Sequence, residues 1–153
     1  MDPIEELIAE RDITRVIHEY ARLVDLNRTD EQAQTFTEDG VADYYGSDVV
    51  GRRSIADLLR PAVNRWVAST HTISNIQIDV SGPDSATSVC YVYAWHRVDP
   101  SGEGDFEVRG QYHDHWRRTD EGWRIARRTF LTMAATPPRP DSPTIDRTPQ
   151  SND

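Results

Sequence analysis

The chain of 153 residues contains one cysteine, Cys90, and a lone thiol excludes an internal disulfide framework. Nothing in the sequence therefore calls for an oxidising compartment. Cations are in the minority: 17 Lys plus Arg stand against 26 Asp plus Glu, a formal net charge of −9. A surface this acidic repels a phosphate backbone, which argues against nucleic acid as a partner. No apolar run approaches the roughly 20 residues that span a bilayer. The start, Met1-Asp2-Pro3-Ile4-Glu5-Glu6, lacks the basic residues and apolar stretch of a signal peptide. A soluble cytoplasmic protein with no membrane partner is expected. A glycine-rich phosphate loop, a Walker motif, a GxSxG elbow and a CxxC pair are also missing, so hydride transfer with a bound dinucleotide and serine hydrolysis find no support.

What is there suits one domain. The hydrophobic fraction of 37% allows one modest core, filled in part by 4 Trp, 6 Tyr and 3 Phe. Asp2, Pro3 and Glu5 read as N-cap, first helical residue and capping-box partner. Asp12 reads as the cap of a second helical segment after a bend. Ile13, Val16, Ile17, Tyr20, Leu23 and Val24 then recur at helical spacing to about Leu26. Thr29 and Gln32 form a second capping box, opening a short helix to about Phe36. Glu38-Asp39-Gly40 reads as a turn, Val41 to Tyr45 as a short strand, and Ile55 to about Val67 as a helix that Pro61 bends or restarts.

From His71 onward the apolar period becomes two. Strands are expected over 71–80, 86–98, 106–116 and 123–134, joined by turns at Ser81-Gly82-Pro83-Asp84 and Asp120-Glu121-Gly122. Phe106, Val108, Gly110, Tyr112, Asp114 and Trp116 share one strand face. Helices followed by an antiparallel meander give an α+β fold, with a curved sheet wrapped around the helices and a pocket between them. The domain is expected over 1–135. Residues 136–153, rich in Pro, Asp, Ser and Thr, read as a flexible tail.

Two residues stand out chemically. Asp25 sits at a helix C-terminus, where the dipole disfavours an anion, so its carboxylate has a use elsewhere. His71 opens the first long strand, and a histidine held by a carboxylate is a standard general base. Of the neighbours Tyr44 and Tyr45 one faces inward, as does one of Arg127 and Arg128. A buried arginine needs a partner, either a carboxylate such as Asp114 or an anionic group of a substrate. His113 and His115 share a face opposite Tyr112 and Asp114 without a further ligand, so no metal is expected. His18 reads as a helix-surface residue, and the place of His96 stays open.

The runs Tyr20-Ala21-Arg22-Leu23-Val24-Asp25, Thr70-His71-Thr72-Ile73-Ser74-Asn75, Gly110-Gln111-Tyr112 and Trp116 to Ile125 resemble the SnoaL-like branch of the nuclear transport factor 2-like superfamily. Within it the chain is similar to scytalone dehydratase and hexachlorocyclohexane dehydrochlorinase, from about Ile4 to Met133. The resemblance implies a cone-shaped barrel of a curved mixed sheet, and a cofactor-free dehydratase-type lyase or an isomerase acting on a small hydrophobic oxygenated substrate. It implies His71 as base with Asp25 as its partner, Tyr44 acting on a substrate oxygen and Arg128 near the leaving group. Tyr20, Tyr112, Trp66 and Trp95 are expected to line the cavity. It also implies a homo-oligomer, a trimer before a dimer. Two alternatives stay open: a non-catalytic brace like the small subunits of ring-hydroxylating dioxygenases, and a protein that binds a ligand without turning it over.

Overall fold

The structure, a computed structural model, describes residues 1–138 and Asp141. The expected tail beyond Pro138, apart from Asp141, therefore lies outside the described residues. The first helix, α1 (Pro3–Asp25), starts as its sequence demands. The Asp2 carboxylate accepts from the Ile4 N–H at 3.0 Å and the Asp2 N–H donates to Glu5. No bend occurs at Asp12. An unbroken helix keeps Ala9, Ile13 and Ile17 on one buried stripe, and the Asp12 carboxylate accepts from Arg11 on the surface instead.

A five-residue helix α2 (Thr29–Ala33) follows, and here the expected capping box fails: the N-cap is Arg28 and no side chain caps it. The chain then runs into β1 (Phe36–Asp43). Glu38-Asp39-Gly40 is part of that strand and not a turn, because the extra residues are absorbed as a bulge against the partner strand between Phe36 and Val41. A short β2 (Asp48–Val50), not foreseen in the sequence, folds back on β1. Helix α3 (Arg52–Val63) passes through Pro61 without ending there.

The remaining strands are long: β3 (Ala68–Gly82), β4 (Ser85–Arg97), β5 (Phe106–Thr119) and β6 (Gly122–Thr136). Among the described residues the sheet has six strands in the order β2-β1-β6-β5-β4-β3, all antiparallel neighbours except the parallel pair β1 and β6. Helix α1 packs on both β3 and β6, although β5 and β4 lie between them in the sheet. One helix can touch both only if the sheet curls around it. The result is a cone whose sheet stays open at the β2 and β3 edges. Among the described residues no helix is long and apolar enough to cross a membrane.

The core of the cone is built from Ile13, Ile17, Phe36, Ile55 and Ile125, all fully buried. Gly110 is a second structural requirement. A Cβ there would lie 2.4 Å from the Leu131 carbonyl oxygen and 2.5 Å from the Phe130 ring, and the β5–β6 register shifts beside it. Gly110→Ala is therefore expected to destabilise the fold by about 1–3 kcal/mol, the usual cost of overpacking a closed site. Thermal unfolding by circular dichroism measures it. An unchanged midpoint would show that Phe130 has more room than the packing indicates.

Candidate active site

Asp25 is the last residue of α1, and the curl of the sheet brings the start of β3 against it. Alternate residues of a strand share a face, so Ser69 and His71 both reach the carboxylate. The Ser69 hydroxyl donates to Oδ1 at 2.9 Å, the His71 backbone N–H donates to Oδ2 at 2.9 Å, and His71 Nδ1 lies 2.7 Å from Oδ1. An ionised carboxylate only accepts, so the proton of this contact sits on Nδ1 and Nε2 is left for a guest. Partial burial pushes the Asp25 carboxyl up, but the His71 ring, the backbone N–H and Ser69 outweigh it and hold the group below its ordinary value. These bonds also offset the unfavourable helix terminus. The His71 side chain is only 8% exposed and lines a cavity of about 270 Å³.

His96 lies on the same wall. It is the residue whose role the sequence left open. Strand alternation with Val92 and Ala94 turns it inward, where it stacks on Phe106 with ring centroids 4.3 Å apart, packs on Trp66 at 4.1 Å and meets the His71 ring edge-on at 5.3 Å. Two imidazoles thus face one chamber. The same alternation contradicts the expectation for Trp95: with Ala94 and His96 inward, Trp95 points to the outer face of the sheet, where the Arg97 guanidinium covers it at 5.0 Å. Trp66 does line the cavity.

The phenols form a second group on the cavity wall. Tyr44 faces inward, and Tyr45, largely exposed, stands at the rim. The Tyr20 and Tyr44 hydroxyls are 2.6 Å apart. When one donates to the other, the acceptor's own O–H remains unspent. Burial holds the Tyr20, Tyr44 and Tyr112 phenols above their ordinary value, while the Arg128 cation pulls them down. All three therefore stay protonated as donors near neutral pH.

Arg128 stands behind these rings. The sequence resemblance placed it near a leaving group, but it is fully buried and is not on the cavity wall. Its Nε and Nη2 donate to the two Asp114 oxygens at 2.8 and 2.7 Å. Its guanidinium carbon lies 4.2 Å from the Tyr20 ring centroid and 4.0 Å from that of Tyr112, both cation–π contacts. The physical reason is register: Arg128 pairs with Asp114 across β5 and β6, and such a buried cation is satisfied first by the carboxylate opposite it. Arg127 faces outward and pairs with Asp48.

Gln32 completes the wall. It is 1% exposed, and its amide lies against the Tyr20 phenol, which it helps to hold down. Sequence reasoning saw this residue only as a helix cap. His113 Nε2 lies 2.9 Å from the Gln111 side-chain oxygen, and His115 is exposed. Among the described residues no cluster of three or more His, Cys, Asp or Glu is arranged to hold a metal ion. The sequence contains no lysine, so no side-chain amine is available for a Schiff base.

A curled α+β sheet around one long helix, with a mainly apolar chamber and a histidine–carboxylate pair in its wall, defines a small pocket protein of the nuclear transport factor 2-like kind. The SnoaL-like domain model matches residues 5–129, and the chain belongs to that family. It is similar to a crystal structure from Novosphingobium aromaticivorans provisionally described as a scytalone dehydratase: identity is 27%, coverage 95% of this chain and 98% of that one, and the TM-score 0.87. A type 2 hexachlorocyclohexane dehydrochlorinase shares the fold at 14% identity, over 95% and 98% of the two chains, with a TM-score of 0.78. An uncharacterised protein of Mycobacterium tuberculosis is 27% identical over 132 residues, 82% of this chain and 86% of its own length.

Proposed function

We propose that this protein is a cofactor-independent lyase or isomerase that removes a proton from carbon in a small, largely apolar, oxygenated molecule. The observation that carries this reading is the Asp25–His71 contact of 2.7 Å opening into a mainly apolar chamber. His71 Nε2 takes the proton. Asp25 holds the ring in the required tautomer and stabilises the imidazolium that forms. The electron pair left on carbon moves onto an adjacent oxygen, where the unspent proton of the Tyr20–Tyr44 pair meets the developing charge. Arg128 touches no substrate in this scheme. Its charge behind Tyr20 and Tyr112 makes the phenols better donors, so it is a positioning residue. His96, edge-on to His71, is placed to receive or return a proton once an intermediate forms. The mainly apolar wall, with little polar surface to compete, strengthens each of these contacts.

The likeness to a dehydratase-like structure and to a dehydrochlorinase supports elimination as one outcome of such a carbanion. Returning the proton at another carbon gives isomerisation. Both begin with the same step, and that step is measurable before the natural substrate is known. Incubation with 1-indanone and related one- and two-ring ketones in D₂O is expected to show catalysed deuterium incorporation at the carbon beside the carbonyl, read by mass spectrometry. Tyr44→Phe is expected to slow it by about 10²-fold, the usual cost of one donor to a developing oxyanion. A ketone that binds in the cavity yet exchanges no faster than in buffer would favour the binding-only alternative.

A further inference from the structure

Counterions are plentiful in this chain, with 26 Asp plus Glu against 17 Lys plus Arg. Most arginines of the described residues accordingly meet a carboxylate, on the surface as in the core: Arg22 pairs with Glu19, Arg60 with Asp30, Arg127 with Asp48 and Arg128 with Asp114. Arg65 does not. It follows the C-cap of α3, and its backbone N–H donates to the Ala62 carbonyl. Its side chain makes no ion pair or hydrogen bond among the described residues. It is exposed, yet it lines the chamber beside Trp66, so it stands at the rim, as Tyr45 does. The helix dipole favours a cation just past a helix C-terminus. That accounts for an arginine at this position, but not for one that is left without a counterion on a ligand wall.

The rest of the wall gives that charge a meaning. Among the described residues no Asp or Glu lines the chamber. Asp25 lies behind His71, where three donors meet its carboxylate. Arg128 lies behind the phenols and is matched by Asp114. The charge left to meet a guest directly is therefore the single positive one of Arg65, in a chain of formal net charge −9. A guest that complements this wall has an apolar body for the chamber and one negative charge at the end that stays by the rim. The planar guanidinium fork matches the two oxygens of a carboxylate. A phosphate monoester, with close to two charges at neutral pH, exceeds the single cation and is repelled by the acidic surface around it. The chamber of about 270 Å³ exceeds the about 150 Å³ that accommodates a benzene, so a ring with a short acidic substituent fits.

We infer that Arg65 is a specificity-determining residue at the chamber mouth and that the ligand it selects is a small ring compound bearing one carboxylate. This deepens the proposed function: it rests on the chamber as the substrate site but not on proton transfer, because equilibrium binding reads it. The probes are 3-oxo-1-indanecarboxylate and 1-indanone, which share the ring and the ketone and differ by the anionic group. Both are titrated by calorimetry near neutral pH into wild type, Arg65→Met, Arg65→Lys and His71→Ala. Wild type binds the carboxylate about fivefold or more tightly than the ketone at low salt, the scale of a favourable charge pair at a partly exposed site. The gap narrows as ionic strength rises, since ions reach a pair at the rim. Arg65→Met keeps an apolar stem and loses the charge, so the two affinities come within about twofold of each other. Arg65→Lys keeps the charge without the fork and retains part of the preference, a rescue that a purely steric role would not give. His71→Ala retains the wild-type preference. A preserved preference in a wild type that exchanges no deuterium would therefore remove the proton-transfer reading and leave this inference standing. A wild type that binds the two probes equally, or binds neither, overturns the inference. So does an Arg65→Met protein that keeps the preference, which would put the carboxylate on another surface arginine and leave Arg65 a solvated residue at a helix end only.

Discussion

His71→Ala lowers the rate of carbon deprotonation by at least about 10²–10⁴-fold, the range a general base contributes, and leaves the protein folded. The side chain is part of a cavity wall and not of the close-packed core, so its removal enlarges a space that already exists. The structural cost is mainly to Asp25, which loses the ring proton but keeps the Ser69 hydroxyl and the His71 backbone N–H. Asp25→Asn is the sharper companion. All three groups that meet this carboxylate are donors. An amide must set its own N–H₂ against one of them, losing either the backbone bond or the Nδ1–H contact. If it loses the second, the imidazole takes the other tautomer and Nε2 no longer accepts a proton. In a triad of the serine-protease type the equivalent change costs about 10⁴-fold, and a loss of the same order is expected here. Deuterium exchange of a ketone that the wild type turns over, with circular dichroism as the folding control, decides it. A folded His71→Ala protein with the wild-type rate would remove the catalytic reading.

The pH dependence of the pair has a definite sign. Asp25 is held below its ordinary carboxyl value of 3.8. Its bonds therefore stabilise the fold fully above that value, and the contribution is lost as the pH falls through the lower value of the folded state. Over the neutral range Asp25 remains ionised, as a partner for an imidazolium must.

Much of this was legible in the sequence where one physical signal acted alone. The capping box at Asp2 and Glu5 formed because nothing else competes for those side chains at an exposed helix start. The inward row Val108, Gly110, Tyr112, Asp114 and Trp116 followed from the period of two over a strand with one buried face. The same rule, applied to β4, would have placed His96 inward and Trp95 outward, since Val92 and Ala94 fix the parity. What obscured it was the chemistry of the residues: a tryptophan suggests a ligand wall whichever face it occupies. The failures lie where tertiary structure overrode a local signal. Asp12 is a good cap, but a bend there would have taken Ile13 off the buried stripe. Glu38-Asp39-Gly40 has turn composition, yet the parallel partner β6 held it in the sheet with a bulge. Gln32 matched a capping box and became a cavity residue. Which strands curl far enough to bring Ser69 and His71 to Asp25 is a property of the whole sheet, and no short window of sequence contains it.

Asp114→Ala is expected to be the most damaging single change to stability, at about 3–5 kcal/mol, a large part of the 5–15 kcal/mol that holds a typical domain together. Both partners of this ion pair are fully buried. Burial disfavours the Arg128 cation, and Asp114, by charge and by two hydrogen bonds, keeps the guanidinium firmly protonated in spite of it. Removing the carboxylate leaves a desolvated charge with the two nitrogens that met Asp114 unsatisfied. The loss should appear in denaturant melts as a lower midpoint, and in thermal melts as a drop of about 6–20 °C. The double variant Asp114→Leu with Arg128→Met separates stability from function. Replacing both charges with apolar groups of similar size removes the desolvation cost along with the attraction, so stability should return close to wild type. Exchange activity should not return, because the phenols of Tyr20 and Tyr112 lose the cation packed against their rings and become weaker donors. If the double variant recovers both stability and rate, the ion pair is scaffold alone. If Asp114→Ala melts where wild type does, the pair is far better hydrated than its burial implies, and the case for Arg128 tuning the phenols falls with it.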